Sequence, residues 1–147
     1  MIDTRWIGHR FPVMRWEVEK GRIRFFAKAI GETRAEYIDE DAAKAAGYPS
    51  LLMPPTMFFS GPLDHDDIQR LLSTLDIDMK NILHGEQAFI YHLPVYAGDV
   101  LDFDDQIVDI TAKKGGALEL VTRMTRITNQ RGELVAEARN VIAVVNR

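Results

Sequence analysis

His84 and Glu86 lie two residues apart in "NILHGEQAFIYHLP", a stretch in which apolar and polar residues alternate. On a strand that spacing points both side chains to one face. An imidazole beside a carboxylate makes a proton-transfer pair, because imidazole titrates near neutral pH. The same spacing equally suits a polar face that hydrogen-bonds across a subunit contact, and His92 falls on that face too. A second stretch with chemical content is "YPSLLMPPTMFF", residues 48–59. Pro54 and Pro55 stiffen the chain and fix the entry of the next helix. Backbone N–H groups at such an entry can hold an oxygen on which charge builds. The alternative is a rigid loop that closes the core.

The elements that must position these residues follow from periodicity. "GRIRFFAKAIG" reads as a helix with Ile23, Phe26, Ala27 and Ile30 in one stripe and Gly31 at its end. "DEDAAKAAG" reads as a short helix capped by Asp39, with Glu40 and Asp41 in its first turn and Gly47 at its exit. Pro55 opens a helix through Ser60, which Gly61-Pro62 should interrupt. A further helix restarts after Asp64 as cap, with Ile68, Leu71 and Leu72 inward. Residues 14–18 look extended, and from Asn81 onward four long strands alternate, with turns at Lys113–Gly116 and Asn129–Gly132. Helices followed by antiparallel strands predict an α+β layer fold. A sheet of that length must cover its apolar face, and the helical half is the available cover. The expected architecture is one hot-dog domain over residues 1–147, a sheet wrapped around a central helix.

Composition narrows the functions. Of 147 residues, 46% are apolar and 27% charged, ordinary for a globular domain. A net charge of −4 without a basic cluster argues against nucleic acid as a partner. The absence of cysteine removes disulfides and thiol nucleophiles, and with four scattered histidines it argues against a metal site. No secretory leader and no membrane-length apolar run is found, so the cytoplasm is the expected location and no membrane is expected as a partner.

Four segments taken together resemble the MaoC-like dehydratase family, in its N-terminal-type half. They are "IRFFAKAIGE", "YIDEDAAKAAGYPSLLMPPT", "LHGEQAFIYHLPVYAGDVL" and "GELVAEARNVIAVV". The resemblance implies a hot-dog domain that pairs with another, as a homo- or hetero-dimer, one arrangement being a catalytic MaoC-like partner. It implies acyl thioesters of coenzyme A or acyl carrier protein as substrates, with no further cofactor. The reaction it implies is reversible hydration of a trans-2-enoyl thioester to an (R)-3-hydroxyacyl thioester, the work of a hydro-lyase.

The family's catalytic half carries an Asp-x-Asn-Pro-x-His motif after the equivalent helix. In this sequence Glu32, Arg34, Ala35 and Tyr37 stand at those four positions, so every one is exchanged. Glu32 keeps a carboxylate and reads either as a surviving general base or as a solvated acid at a helix exit. Tyr37 reads as a hydrogen-bond donor or as packing, and its phenol is no base at neutral pH. The resemblance also makes Leu51, Leu52, Met53, Met57, Phe58 and Phe59 an expected acyl tunnel, with Pro54, Pro55 and Thr56 shaping its entry. Lys113 or Lys114 could meet a phosphate of coenzyme A, or simply decorate a hairpin. Two other readings stay open: a non-catalytic acyl-thioester-binding module, and a thioesterase using Glu32 or Glu86.

Overall fold

A computed structural model describes residues 1–146. Its five strands are β1 Met14–Glu17, β2 Ile82–Tyr91, β3 Val100–Lys113, β4 Leu118–Thr128 and β5 Leu134–Val145. They form one antiparallel sheet in the order β1-β3-β4-β5-β2. The two expected turns join β3 to β4 and β4 to β5. At the second, the Asn129 side chain accepts from the N–H groups of Arg131 and Glu133, and Gly132 takes the positive φ of 74° that closes the turn.

The first helix, α1, spans Lys20–Ala29 and buries Ile23 and Ala27. Gly31, at φ 71°, ends it. Glu32 N–H donates to Ala27 O at 2.8 Å and Gly31 N–H to Lys28 O at 3.2 Å, a Schellman closure. Ile30 sits in that closure and is exposed, so the expected apolar stripe stops one residue short. The second, α2, covers Glu40–Ala45, and Asp39 caps it by accepting from Ala42 N–H.

Pro55–Phe59 forms a 3₁₀ turn that runs straight into α3, Ser60–Leu63. The break expected at Gly61-Pro62 therefore comes later. Pro62 sits in the first turn of α3, where its missing N–H costs nothing. Gly61 is needed for approach: a Cβ there would lie 2.7 Å from the Phe103 ring and 3.2 Å from Trp16. The chain breaks instead at residues 64–66, with Asp66 left-handed, before α4, Asp67–Leu75. Nor does Asp64 cap α4. Its carboxylate accepts from Trp16 Nε1 at 3.0 Å and from Arg22 Nη2, tying α3 to β1 and α1.

The helices lie on one face of the sheet. Ile23 and Met57 pack with Leu101, Phe103 and Ile127. Leu71 and Leu75 pack with Ile107, Val121 and Ile142. This is the α+β hot-dog arrangement expected from the pattern of elements. Among the described residues no helix is long and apolar enough to cross a membrane.

Candidate functional site

Between the helical segment 58–68 and the inner face of the sheet lies a cavity of about 390 Å³. Strand register explains its lining. Phe89, Ala138, Thr125 and Asp105 are successive partners on β2, β5, β4 and β3. Gln87, Asn140 and Arg123 form the next row inward on β2, β5 and β4. All seven border the cavity, with Phe58, Phe59 and Leu63 closing it from the helical side. One end is thus apolar and the other polar.

The polar end centres on a buried ion cluster. Arg123 Nη1 donates to Asp105 Oδ2 at 2.8 Å, and Nη2 to Asp67 Oδ2 at 2.7 Å. Thr125 donates to the other Asp105 oxygen at 2.9 Å, and Arg70 reaches Asp67 at 3.3 Å. Burial pushes the Asp105 carboxyl up, while Arg123 pulls against that shift.

His84 borders the same cavity, edge-on to Phe59 at 5.8 Å, and its Nε2 lies 3.0 Å from the Asn140 amide nitrogen. Glu86 is not beside it. A bulge at Gly85 puts one extra residue between them, so His84 opposes Ile142 while Glu86 opposes Val141. The Glu86 carboxylate pairs with Arg139, outside the cavity. The expected shared face of His84 and Glu86 is therefore lost to the bulge. Gly85 permits it, since a Cβ there would sit 3.0 Å from Val141 O. His92 departs as well, beyond the end of β2, where Nε2 lies 2.9 Å from Glu137.

Glu32 is held by its neighbours. Oε1 accepts from the N–H groups of Thr33 and Arg34, both at 2.9 Å, and Arg34 Nη2 meets Oε2 at 2.8 Å. The Arg34 guanidinium, foremost, drops its pKa to about 2. A carboxylate that holds its charge so firmly is a feeble proton acceptor. Arg34 also lies 4.8 Å over the Tyr37 ring and donates to its hydroxyl at 3.3 Å. Burial raises the Tyr37 pKa, so the phenol stays protonated at neutral pH. With Arg34→Asn, the Glu32 carboxyl is expected to titrate well above about 2 yet still below the ordinary 4.5, because the backbone N–H groups of residues 33 and 34 still donate to it. An NMR pH titration of that carboxyl reads this directly, and an ordinary value already in the parent protein would refute the clamp.

The expected acyl-tunnel residues divide. Phe58 and Phe59 border the large cavity. Tyr37, Leu52, Met53, Pro55 and Phe58 border a smaller one of about 260 Å³. Phe58 is the shared wall, tilted against Phe89 and stacked on Tyr91. Leu51 and Met57 join the core, and Pro54 and Thr56 border neither space. The four candidate catalytic residues do not converge. Tyr37 faces the smaller cavity, His84 the larger, and Glu32 and Glu86 neither. Lys113 and Lys114 sit at the β3–β4 turn and border neither cavity.

Asp67, Asp105, Arg123 and Asn140 are not among the residues expected from the sequence. Three of them carried a signal. In "LDFDDQI" the inward phase is Leu101, Phe103, Asp105, Ile107, and in β4 it is Val121, Arg123, Thr125, Ile127. A charge in the apolar phase of a strand marks a buried partner. Asn140 interrupts the inward phase of β5 in the same way.

Comparison with known proteins agrees with this geometry. The model of the FAS1-like dehydratase domain region matches residues 5–138. A UPF0336 protein of Saccharopolyspora erythraea is 34% identical over 142 residues, covering 96% of this chain and 90% of its own. A chain of the C-terminally truncated HadBC (3R-hydroxyacyl-ACP dehydratase) complex from Mycobacterium tuberculosis superposes with a TM-score of 0.78 at 28% identity. It covers 94% of this chain and 96% of that one. A MaoC-like dehydratase superposes with a TM-score of 0.82 at 25% identity, over 96% of this chain and 42% of that longer chain.

Proposed function

The chain belongs to the MaoC-like hot-dog family of FAS1-like dehydratase regions, and from that premise we propose that it is the acyl-binding half of an (R)-specific enoyl-thioester hydratase/dehydratase. One observation carries the reading: Arg34 clamps Glu32 at the family's reactive position, while a cavity of about 390 Å³ with one apolar end remains beneath Phe58 and Phe59. The chain keeps room for an acyl tail, and Glu32, Tyr37, His84 and Glu86 do not converge.

Hydration adds the oxygen of water to C3 and a proton to C2 of the enoyl thioester. A base activates the water, an acid supplies the proton, and donors hold the thioester oxygen as charge builds. In this proposal a second hot-dog subunit supplies those groups. The edge of the sheet suits such a partner. Strand β2 is outermost, ten residues long, and exposes Leu83, Ile90 and Tyr91. A second sheet can continue from it. The HadBC dehydratase structure is, by its name, a complex.

The test is a hydration assay with crotonyl-CoA and with a long-chain enoyl-CoA. The purified chain alone is expected to leave the enoyl absorbance unchanged. Mixed with a hot-dog homologue bearing Asp-x-Asn-Pro-x-His, it is expected to raise that partner's rate by at least about tenfold on long-chain enoyl thioesters. Hydration by the chain alone would overturn partner dependence. Release of free thiol would make it a thioesterase. Acyl binding with no effect on any partner would leave a non-catalytic binding module.

A further inference from the structure

Arg123 and Asn140 face each other across β4 and β5, and both border the large cavity. They are 7% and 8% exposed, each more than nine-tenths buried. The Asn140 amide nitrogen lies 3.0 Å from His84 Nε2 and 3.1 Å from Gln87 Oε1. Its Oδ1 has no partner among the described residues. The Arg123 Nη atoms are committed to Asp67 and Asp105, and its Nε also has no partner among the described residues. Leaving a buried acceptor or donor unpaired is costly. Here one of each sits on adjacent strands, on side chains that line a space large enough for a ligand.

We propose that this row binds a hydroxyl carried on the acyl chain, remote from the thioester. The hydroxyl donates to Asn140 Oδ1 and accepts from Arg123 Nε. Cross-strand neighbours stand about 5 Å apart at Cβ, a separation one oxygen can bridge through two side chains. The charge balance selects a neutral group. Arg123 and Arg70 are matched by Asp67 and Asp105, so no surplus positive charge awaits an anion. A carboxylate at this depth would meet Asp105 and Asp67 and lose its hydration. The rest of the lining, with Phe58, Phe89, Phe103 and Ile127, suits the hydrocarbon on either side. The ligand class is therefore an acyl thioester with a hydroxylated tail. This rests on the acyl-binding reading above and adds to it which chains the cavity prefers.

Calorimetric binding of saturated medium-chain acyl-CoA thioesters, each with and without a terminal hydroxyl, tests it. At one chain length or more, the hydroxylated thioester is expected to bind about tenfold more tightly than its unsubstituted counterpart. The methyl ether of that hydroxyl accepts but cannot donate, and it is expected to lose the gain. Asn140→Leu is expected to bring hydroxylated and unsubstituted chains to equal affinity. Binding of unsubstituted chains equal to or tighter than hydroxylated ones at every length would overturn this proposal and leave the acyl-binding reading standing. Failure of both kinds to bind would overturn the acyl-binding reading itself. The ether comparison decides the matter even if the Asn140 variant does not fold.

Discussion

Arg123→Ala is expected to lose about 3–5 kcal/mol of folding stability at neutral pH, the cost of breaking a buried ion pair from one side. For a chain of this size that is a fall in melting temperature of roughly 10 °C or more. The guanidinium lies 2.8 Å from Asp105 and 2.7 Å from Asp67. Both carboxylates are buried, so its removal strands them without their main partner. Arg70 still reaches Asp67 at 3.3 Å, and Thr125 still donates to Asp105, which keeps the loss below that of two bare charges. The pH dependence follows from Asp105. Its folded pKa is raised above the ordinary 3.8, chiefly by burial, and Arg123 is the group that opposes the rise. Without Arg123 the carboxyl binds its proton more tightly in the folded state. A raised pKa contributes stability that is fully present below 3.8 and lost as pH climbs through the folded value. The deficit of the variant is therefore expected to shrink as pH falls from 7 towards 4. Urea denaturation of both proteins at the two pH values measures it. A deficit under about 0.5 kcal/mol at neutral pH would mean that the cluster is not formed in solution.

That cluster also shows what could be read from the sequence and what could not. Strands β2 to β5, their two turns and the Asp39 cap were legible because each rests on local chemistry: alternation, turn-forming Asn129 and Gly132, a short carboxylate before a helix. The bulge at Gly85 was not. Its cause is the partner strand at Val141, and one added residue reversed the face on which Glu86 lies. Gly61-Pro62 misled for a similar reason. Both residues break helices in isolation, yet here one gives room to Phe103 and the other occupies a first turn. The exchanged positions Glu32, Arg34 and Tyr37 were visible as departures from the family's motif. That Arg34 would fold back on Glu32 and over Tyr37 needed coordinates. The sequence points to "LLMPPTMFF" for the acyl tunnel, but the sheet supplies more of the wall than that segment does.

Ala138→Trp is expected to abolish binding of long acyl chains, by about 100-fold or more, with the fold intact. Ala138 lies mid-floor of the large cavity, between its register partners Phe89 and Thr125, and its methyl group faces the space under Phe58. An indole at that position projects into existing volume and meets chiefly apolar neighbours, so it displaces ligand before it displaces core. Each methylene excluded from the cavity forfeits ~0.8 kcal/mol, so exclusion of four costs ~3 kcal/mol, already beyond a hundredfold in affinity. Short thioesters give up little by the same reckoning. With a catalytic partner present, crotonyl-CoA turnover is expected to stay within about threefold of the parent while long-chain turnover collapses. This split separates a blocked tail site from a damaged interface, which would lower both rates together. If the variant melts like the parent and still binds long chains within about threefold, the tail lies elsewhere, and the 260 Å³ space between Tyr37 and Tyr91 takes its place as the site to test.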